Sequence, residues 1–216
     1  MLWQMLGLIK SPLLLVLFII LIIFPLLFSL SFHEMAHGWT AYKFGDPTAK
    51  MQGRLTLNPL KHLDPLGTIL LLTVGLGWAK PVMIDFRNIP NTTHQMLVAL
   101  AGPMSNVFLA LVFSGFIYVC MTIFGMTSNS FCITLFDVLV TINLGLALFN
   151  LLPIPPMDGS RVLAWMLPYG LKEKYMSLEP YGMFILMVIL VFNGFVYVFY
   201  GASFLKYYIY HFLGVA

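Results

Sequence analysis

The chain has 216 residues, of which 60% are apolar and only 9% are charged. A soluble domain carries about 25% charged residues, so this composition excludes an ordinary cytosolic enzyme, a nucleic-acid-binding protein and a disordered chain. Because a transmembrane helix needs about 20 apolar residues, the sequence predicts a polytopic membrane protein, and its formal charge of +3 is small.

The first predicted span runs from Pro12 to Phe32, and its helical pattern continues through His33 to Tyr42. It stops at the breaker cluster Gly45-Asp46-Pro47. A helix of this length exceeds the hydrocarbon core of about 30 Å, so its last turns are expected to emerge into the membrane interface.

Two short segments after this helix alternate roughly in polarity and are predicted as strands near the membrane surface, at residues 48–57 and 78–86. The apolar segment from Leu66 to Gly77 lies between them. Because its roughly 12 residues are too few for a full span, this segment is expected to re-enter the membrane or to form a hairpin.

Three further spans are predicted at residues 94–124, 131–152 and 181–205. These elements predict an α-helical polytopic membrane protein with about four transmembrane helices plus a short membrane-associated β-hairpin or re-entrant element. Residues 1–216 are expected to form a single membrane-embedded domain.

Most basic residues lie in connections that can share one face of the membrane. They are Lys43, Lys50, Arg54, Lys61, Lys80, Arg87, Arg161, Lys172 and Lys174. The turn from Gly125 to Ser130 carries no charge. By the positive-inside rule the basic connections are expected to be cytoplasmic and this turn external, and Lys10 is a minor exception.

Residues 33–37 read His-Glu-Met-Ala-His, an H-E-x-x-H sequence on a predicted helix. Residues four apart share one helical face, so His33 and His37 can bind one metal ion. Glu34 would then be close enough to a water molecule at the metal to take its proton. Since ionisable groups in a membrane span are functional by default, this interpretation is favoured over a polar helix end that makes structural hydrogen bonds.

A catalytic zinc needs three protein ligands and an open position. The candidates for the third ligand are His62, Asp64, His94, Asp137 and Asp158. Asp158 is favoured because it lies just past the cytoplasmic end of the third span, at the depth expected for His33, whereas Asp137 lies near the opposite end. The alternative role for Asp158 is a turn or a helix cap, since Asp-Gly commonly forms turns.

The motif His33–His37 together with the N-x-x-P-x-x-x-x-D-G pattern of Asn150 to Gly159 resembles the site-2 protease family of intramembrane zinc metalloproteases. Further segments resemble its compact bacterial members. They are Gly45–Thr48, Gly53–Pro59, His62–Gly67, Trp78–Val82 and Ala101–Asn106. The resemblance covers roughly Phe32 to Leu163, and no PDZ or CBS domain of the kind that some family members carry is found in the sequence.

This resemblance implies Zn²⁺ on His33, His37 and Asp158, with Glu34 as general base and Asn150 in contact with the substrate or the developing oxyanion. It implies peptide-bond hydrolysis in or near transmembrane segments of membrane-protein substrates. The expected location is the bacterial cell (inner) membrane, multi-pass, with the active site near the cytoplasmic side. The partners would be such substrates and the lipid bilayer, with no nucleic acid.

Four further polar residues have competing interpretations. His62 and Asp64 could hydrogen-bond to a metal-bound histidine and hold it in place, but a loop histidine and a turn aspartate before Pro65 are favoured. Asn106 and Asn143 are expected to make interhelical hydrogen bonds.

Two other functional classes compete with the protease. One is a metal transporter or metal-binding membrane protein, although transporters tend to show paired repeats and polar residues along several spans. The other is a catalytically silent scaffold, against which the intact Glu34 argues.

Cys120 and Cys132 flank the uncharged turn and are either disulfide-bonded or free.

Overall fold

The structure, a computed structural model, describes residues 23–64, 66, 67, 69 and 80–215. Eight α-helices lie in these residues. They are α1 (Phe24–Lys43), α2 (Thr48–Met51), α3 (Thr92–Thr122), α4 (Phe131–Asn150), α5 (Asp158–Met166), α6 (Tyr169–Met176), α7 (Gly182–Val191) and α8 (Phe195–Leu213). Short 3₁₀ turns occupy Pro59–Lys61, Phe86–Asn88 and Glu179–Tyr181.

Helices α3 and α4 form an antiparallel hairpin that is the centre of the molecule. Small and β-branched side chains, among them Ala110, Val140 and Ala202, let α3, α4 and α8 approach closely. Helix α1 packs on α3 from the other side, and α5 packs against α3 near its start. Many large apolar side chains of α3 and α4, such as Phe108, Phe116 and Phe131, remain exposed. This surface suits lipid rather than water.

Among the described residues, two helices are long and apolar enough to cross a membrane, α3 and α4. They correspond to the second and third predicted spans. The first predicted span is described only from residue 23 onward, where α1 contains its second half. Four transmembrane helices are therefore an expectation that this structure does not establish.

The fourth predicted span is not one continuous helix. Helix α7 ends at Val191 and α8 begins at Phe195, because Asn193 adopts the left-handed backbone conformation with φ 57°. An intrahelical hydrogen-bond ladder cannot continue through a residue in that conformation. The prediction of a single helix over 181–205 was wrong in this respect.

The two predicted strands are also wrong within the described residues. Thr48–Met51 is a helical turn, since Asp46 accepts hydrogen bonds from the backbone nitrogen and hydroxyl of Thr48, and the chain then turns at Gly53, whose φ is 64°. Residues 80–85 form no strand, and a 3₁₀ turn follows them. The segment Leu66–Gly77, like Trp78 and Ala79, lies mostly outside the described residues.

The connection from α4 to α5 places Asp158 at the first position of α5. Leu151 to Met157 contains three prolines, which end α4 and prevent it from continuing. Gly159 lies so close to the backbone carbonyls of Leu151 and Leu152 that no Cβ fits there. This tight turn folds α5 back towards the interior of the helix bundle.

The uncharged turn from Gly125 to Ser130 lies at the opposite end of the α3–α4 hairpin. Cys120 and Cys132 flank it as free thiols with their Sγ atoms 4.0 Å apart. Nearby, Lys206 donates to both carboxylate oxygens of Asp137 at 3.0 Å, and Tyr210 donates to the same carboxylate at 2.8 Å. These contacts attach α8 to α4 at that end.

Candidate metal centre

Three potential metal ligands converge at one point in the described part of the chain, His33, His37 and Asp158. The two Nε2 atoms are 3.0 Å apart, and Oδ2 of Asp158 is 3.2 Å from each of them. The two histidines are buried and Asp158 is half-buried. A tetrahedral ion with bonds of about 2.0–2.2 Å would hold its ligands roughly 3.3–3.6 Å apart, so only a small expansion admits one.

The far side of each imidazole fixes its tautomer. Nδ1 of His37 donates to the backbone oxygen of Val98 at 2.7 Å, since a carbonyl can only accept. Nδ1 of His33 lies 2.6 Å from Oδ1 of Asn106. The amide nitrogen of Asn106 already donates to Asn143, so Oδ1 is the atom that accepts from His33.

Because each Nδ1 atom carries a proton, the Nε2 atom of each neutral imidazole presents a lone pair to the other ring and to the carboxylate of Asp158. Three acceptors that face one point need a positive charge between them. A proton could satisfy only one pair, whereas a metal ion satisfies all three at once. The donor set of two imidazoles and one carboxylate is one that catalytic zinc uses, so the residues present fit this metal.

The charge of Asp158 is consistent with this arrangement. Burial alone raises the pKa of its carboxyl group. When the imidazoles are protonated, the charge of His37 and the hydrogen bonds from His33 and His37 outweigh burial, and they hold the pKa well below its usual range. Asp158 is therefore ionised at neutral pH, as a metal-binding carboxylate must be.

A buried polar network supports His33 from behind. Nδ2 of Asn106 lies 3.0 Å from Oδ1 of Asn143, and Nδ2 of Asn143 donates to Oγ of Ser29 at 2.9 Å. All three side chains are fully buried. The expected interhelical hydrogen bonds of Asn106 and Asn143 are thus present, and they tie α1, α3 and α4 together at the level of the metal centre.

Gly102 provides the space in which the two imidazoles meet. A Cβ at this position would overlap Nε2 of both His33 and His37. Gly102 and Asn106 are four residues apart and share one face of α3. One face of α3 therefore both accommodates the imidazoles and orients one of them.

Glu34 lies on α1 next to the ligands but is not one of the three converging groups. Its Oε2 accepts a hydrogen bond from the backbone nitrogen of Val82 at 2.8 Å, and the side chain is half-buried. This contact fixes the carboxylate against the segment of residues 80–85. A glutamate that is positioned beside a metal centre without binding the metal can act as a proton acceptor.

The structure places the other candidates for the third ligand elsewhere. His94 stacks on Phe44 with ring centroids 4.1 Å apart, and Asp137 pairs with Lys206. Nε2 of His62 lies 2.9 Å from the backbone oxygen of Thr56. Oδ1 of Asp64 accepts from the backbone nitrogen of Gly67.

The hydrogen-bonding positions at the Nδ1 atoms of His33 and His37 are filled from α3. Asn106 and the Val98 carbonyl occupy them, and the structure does not place His62 or Asp64 there. The sequence analysis predicted interhelical hydrogen bonds for Asn106 but not its contact with His33, and it did not predict the roles of Gly102 and Val98. The four-residue spacing of Gly102 and Asn106, which puts both on one face of α3, was a signal for the roles of these two residues.

Asn150, the predicted oxyanion contact, ends α4 eight residues before Asp158. Its side-chain amide donates to the backbone oxygen of Leu146 at 3.0 Å. This is a bond to its own helix, and it leaves the second amide hydrogen to be used by another acceptor.

Comparison with known proteins identifies relatives of this chain. A family model described as Peptidase family M50 matches residues 113–193. The chain is 44% identical over 175 residues to "Putative zinc metalloprotease YwhC" of Bacillus subtilis, covering 79% of this chain and 80% of that protein. It is 30% identical over 180 residues to "Putative zinc metalloprotease Rip2" of Mycolicibacterium smegmatis, covering 80% of this chain and 67% of that protein. No solved structure matches the chain.

Proposed function

The chain belongs to peptidase family M50, the site-2 protease family, and from this membership we propose that His33, His37 and Asp158 hold its zinc while Glu34 acts as general base. The activity itself follows from the family: the protein is an intramembrane zinc metalloprotease. The observation that supports the residue assignment is the convergence of two histidine Nε2 atoms and one carboxylate oxygen at one point.

When bound, zinc supplies a Lewis acid that activates water and polarises the scissile carbonyl. Asn106 and the Val98 carbonyl keep the two imidazoles in the tautomer that binds metal. Glu34 accepts the proton of the attacking water and delivers it to the leaving amine. Asn150 donates an amide hydrogen to the oxyanion that develops on the substrate carbonyl.

The substrates are membrane proteins, and we propose that the cleaved bond lies in or near one of their transmembrane segments. Such a segment must unwind locally, because a helix uses its backbone groups in its own hydrogen bonds. The metal centre faces α3 between Val98 and Asn106. That stretch lies roughly 9–21 Å from the start of a helix about 46 Å long, which is within reach of a substrate segment that enters from one membrane face.

We further propose that the protein is a single membrane-embedded domain of the bacterial inner membrane with the metal centre towards the cytoplasm. The basic residues of the connections cluster at the end of the α3–α4 hairpin where α3 begins and α4 ends, for example Arg87, Arg161 and Lys172. The opposite turn carries no charge. This asymmetry is the one that the positive-inside rule describes.

The test is cleavage of single-span membrane-protein substrates by the purified protein and by Glu34→Gln. This variant keeps the size and polarity of the side chain but cannot take the proton. Activity should fall by at least about a hundredfold while bound zinc stays at about one ion per chain. Glu173→Gln, a change of an exposed glutamate on α6, is the matched control and should keep normal activity. Near-normal cleavage by Glu34→Gln would exclude Glu34 as the base.

A further inference from the structure

A pocket lies at the start of α3. It has a volume of about 240 Å³ and is formed by α3, α5, α6 and the 3₁₀ turn that contains Phe86. Its lining includes Gln95 from α3, Arg161 and Trp165 from α5, and Lys172 from α6. None of these side chains belongs to the proposed catalytic machinery.

The pocket carries an excess of positive charge. The guanidinium of Arg161 lies over the ring of Phe86 at 5.1 Å and has Glu179 at 3.7 Å. Both members of that ion pair are well exposed, so it is weak and readily exchanged. Lys172 makes no ion pair with any residue that the structure describes. The pocket therefore offers two cations to an anionic ligand and contains aromatic surface as well.

The position of the pocket places it at the membrane surface. Thr92, at the first position of a membrane-spanning helix, is one of its walls. Around it, α5 and α6 expose large apolar side chains, Met166 by 69%, Tyr169 by 77% and Leu171 by 55%. Short helices with exposed apolar and basic residues are typical of elements that lie in the headgroup region.

We propose that this pocket binds the phosphate headgroup of an anionic phospholipid of the adjacent leaflet. Arg161 and Lys172 would contact the phosphate, and Trp165 and Phe86 would contact the glycerol region. The volume is below the roughly 300–1,000 Å³ of sites that enclose drug-sized ligands, which suits a single headgroup better than a folded peptide segment. Basic pockets beside transmembrane helices attract anionic lipids electrostatically.

This lipid site is coupled to the metal centre through α5. Asp158, Arg161 and Trp165 are spaced by three and four residues and lie on one side of that helix. A bound headgroup would therefore hold the helix that carries the proposed third zinc ligand. The inference rests on the proposed membrane placement of the protein but not on its catalytic residues.

The experiment uses full-length, zinc-loaded protein in an uncharged detergent, in the Glu34→Gln background so that no proteolysis occurs. Bound lipid is counted by native mass spectrometry during titration with dihexanoyl phosphatidylglycerol. We expect one saturable lipid per chain and binding that weakens as salt is raised. Dihexanoyl phosphatidylcholine, which has no net charge, should bind at least about fivefold more weakly.

Arg161→Gln and Lys172→Gln should each weaken phosphatidylglycerol binding about fivefold, which corresponds to the loss of about one charge contact. Lys174→Gln is the matched control, because Lys174 is an exposed lysine on the same helix that does not line the pocket. Equal effects of Lys172→Gln and Lys174→Gln would overturn the proposal. If inorganic phosphate displaces the lipid at equal concentration, the pocket is a site for free anions. If an acidic peptide binds saturably and phosphatidylglycerol does not, the pocket is a peptide site. Either result would also overturn the lipid proposal.

Discussion

At the scale of single residues, the imidazole of His33 is held at both of its nitrogens. Asn106 fixes Nδ1 at 2.6 Å, and Nε2 faces His37 and Asp158. The orientation of Asn106 is itself determined by Asn143, whose own amide nitrogen is bonded to Ser29. The orientation of the proposed ligand His33 thus depends on a series of hydrogen-bonded side chains from three helices. A substitution of Asn143, two contacts away, can therefore rotate the imidazole.

Replacement of Asn106 by alanine should lower zinc affinity about 10–100-fold, because His33 loses the acceptor that fixes its tautomer. The measurement is the dissociation constant for zinc by competition with a chromogenic chelator. Asn150→Ala is the matched control: it should keep zinc affinity and lower the cleavage rate, as expected for a residue that contacts the oxyanion. If both variants bind zinc as the wild type does, Asn106 has no role in orienting His33.

At the scale of elements, the metal centre depends on how closely α1 and α3 approach each other. Gly102 is the point of contact, and any side chain there would occupy the space of the two imidazoles. Helix α3 accepts this glycine in its interior because close packing against α1 outweighs the cost of about 1 kcal/mol that glycine carries in a helix.

Gly102→Ala should therefore weaken zinc binding by at least about tenfold, even though alanine is the better helix former. The matched control is Gly115→Ala on the same helix, where a Cβ would meet no atom within 4 Å. Gly115→Ala should bind zinc normally and should be as thermally stable as the wild type or slightly more stable. Normal zinc binding in Gly102→Ala would show that the helices can separate without loss of the site.

The loop after α1 is tied to the start of the α3 region by one buried carboxylate. Asp46 accepts hydrogen bonds from Asp85 N at 2.8 Å, from Asn88 Nδ2 at 2.9 Å and from Thr48. Burial raises the pKa of Asp46, but the hydrogen bonds from Thr48, Asn88 and Asp85 lower it below its ordinary value. The folded state therefore favours the ionised form.

Asp46→Ala should destabilise the protein by about 1–3 kcal/mol at neutral pH, since several buried donors lose their acceptor. A lowered folded-state pKa means that this contribution is present above about pH 4 and is lost as the pH falls through the folded-state pKa. Thermal unfolding in detergent between pH 7 and pH 3 should thus show the difference between variant and wild type shrinking with acidity. A difference that is independent of pH would contradict ionisation of Asp46 as its cause.

At the scale of the whole molecule, the two ends of the α3–α4 hairpin differ in charge and in chemistry. The metal centre, the proposed lipid pocket and most basic residues lie at one end, and the uncharged turn with the two cysteines lies at the other. The end that carries the positive charges should face the cytoplasm.

This orientation can be tested by cysteine labelling in intact cells after Cys120 and Cys132 have been replaced. Asn129→Cys, in the uncharged turn, should react with a membrane-impermeant thiol reagent added outside. Lys174→Cys, exposed on α6, should react only after the membrane has been opened. The reverse pattern would place the metal centre at the external face and would change which end of a cleaved substrate enters the cytoplasm.

The sequence by itself determined the features that depend on composition and on short periodicities. The apolar content required a membrane environment, and the spacing of His33 and His37 put both on one face of α1 because a helix repeats every 3.6 residues. The apolar spans at residues 94–124 and 131–152, which form α3 and α4, could also be predicted, because a helix is one of the few structures that can cross a lipid bilayer. The resemblance at Asn150 to Gly159 further favoured Asp158 over the other candidate ligands.

Only the tertiary structure decided which distant groups meet. Asp158 is 121 residues from His37, and its approach depends on the packing of α5 against α3. The orientation of His33 by Asn106 likewise requires α1 and α3 to pack in one register. The strand predicted at residues 48–57 was wrong because a roughly alternating pattern does not distinguish a strand from a helical turn fixed by Asp46. The single helix predicted over 181–205 was wrong because hydropathy does not report the backbone conformation of Asn193. Local periodicity reports which side of an element is apolar, whereas contacts between elements are set by packing over the whole bundle.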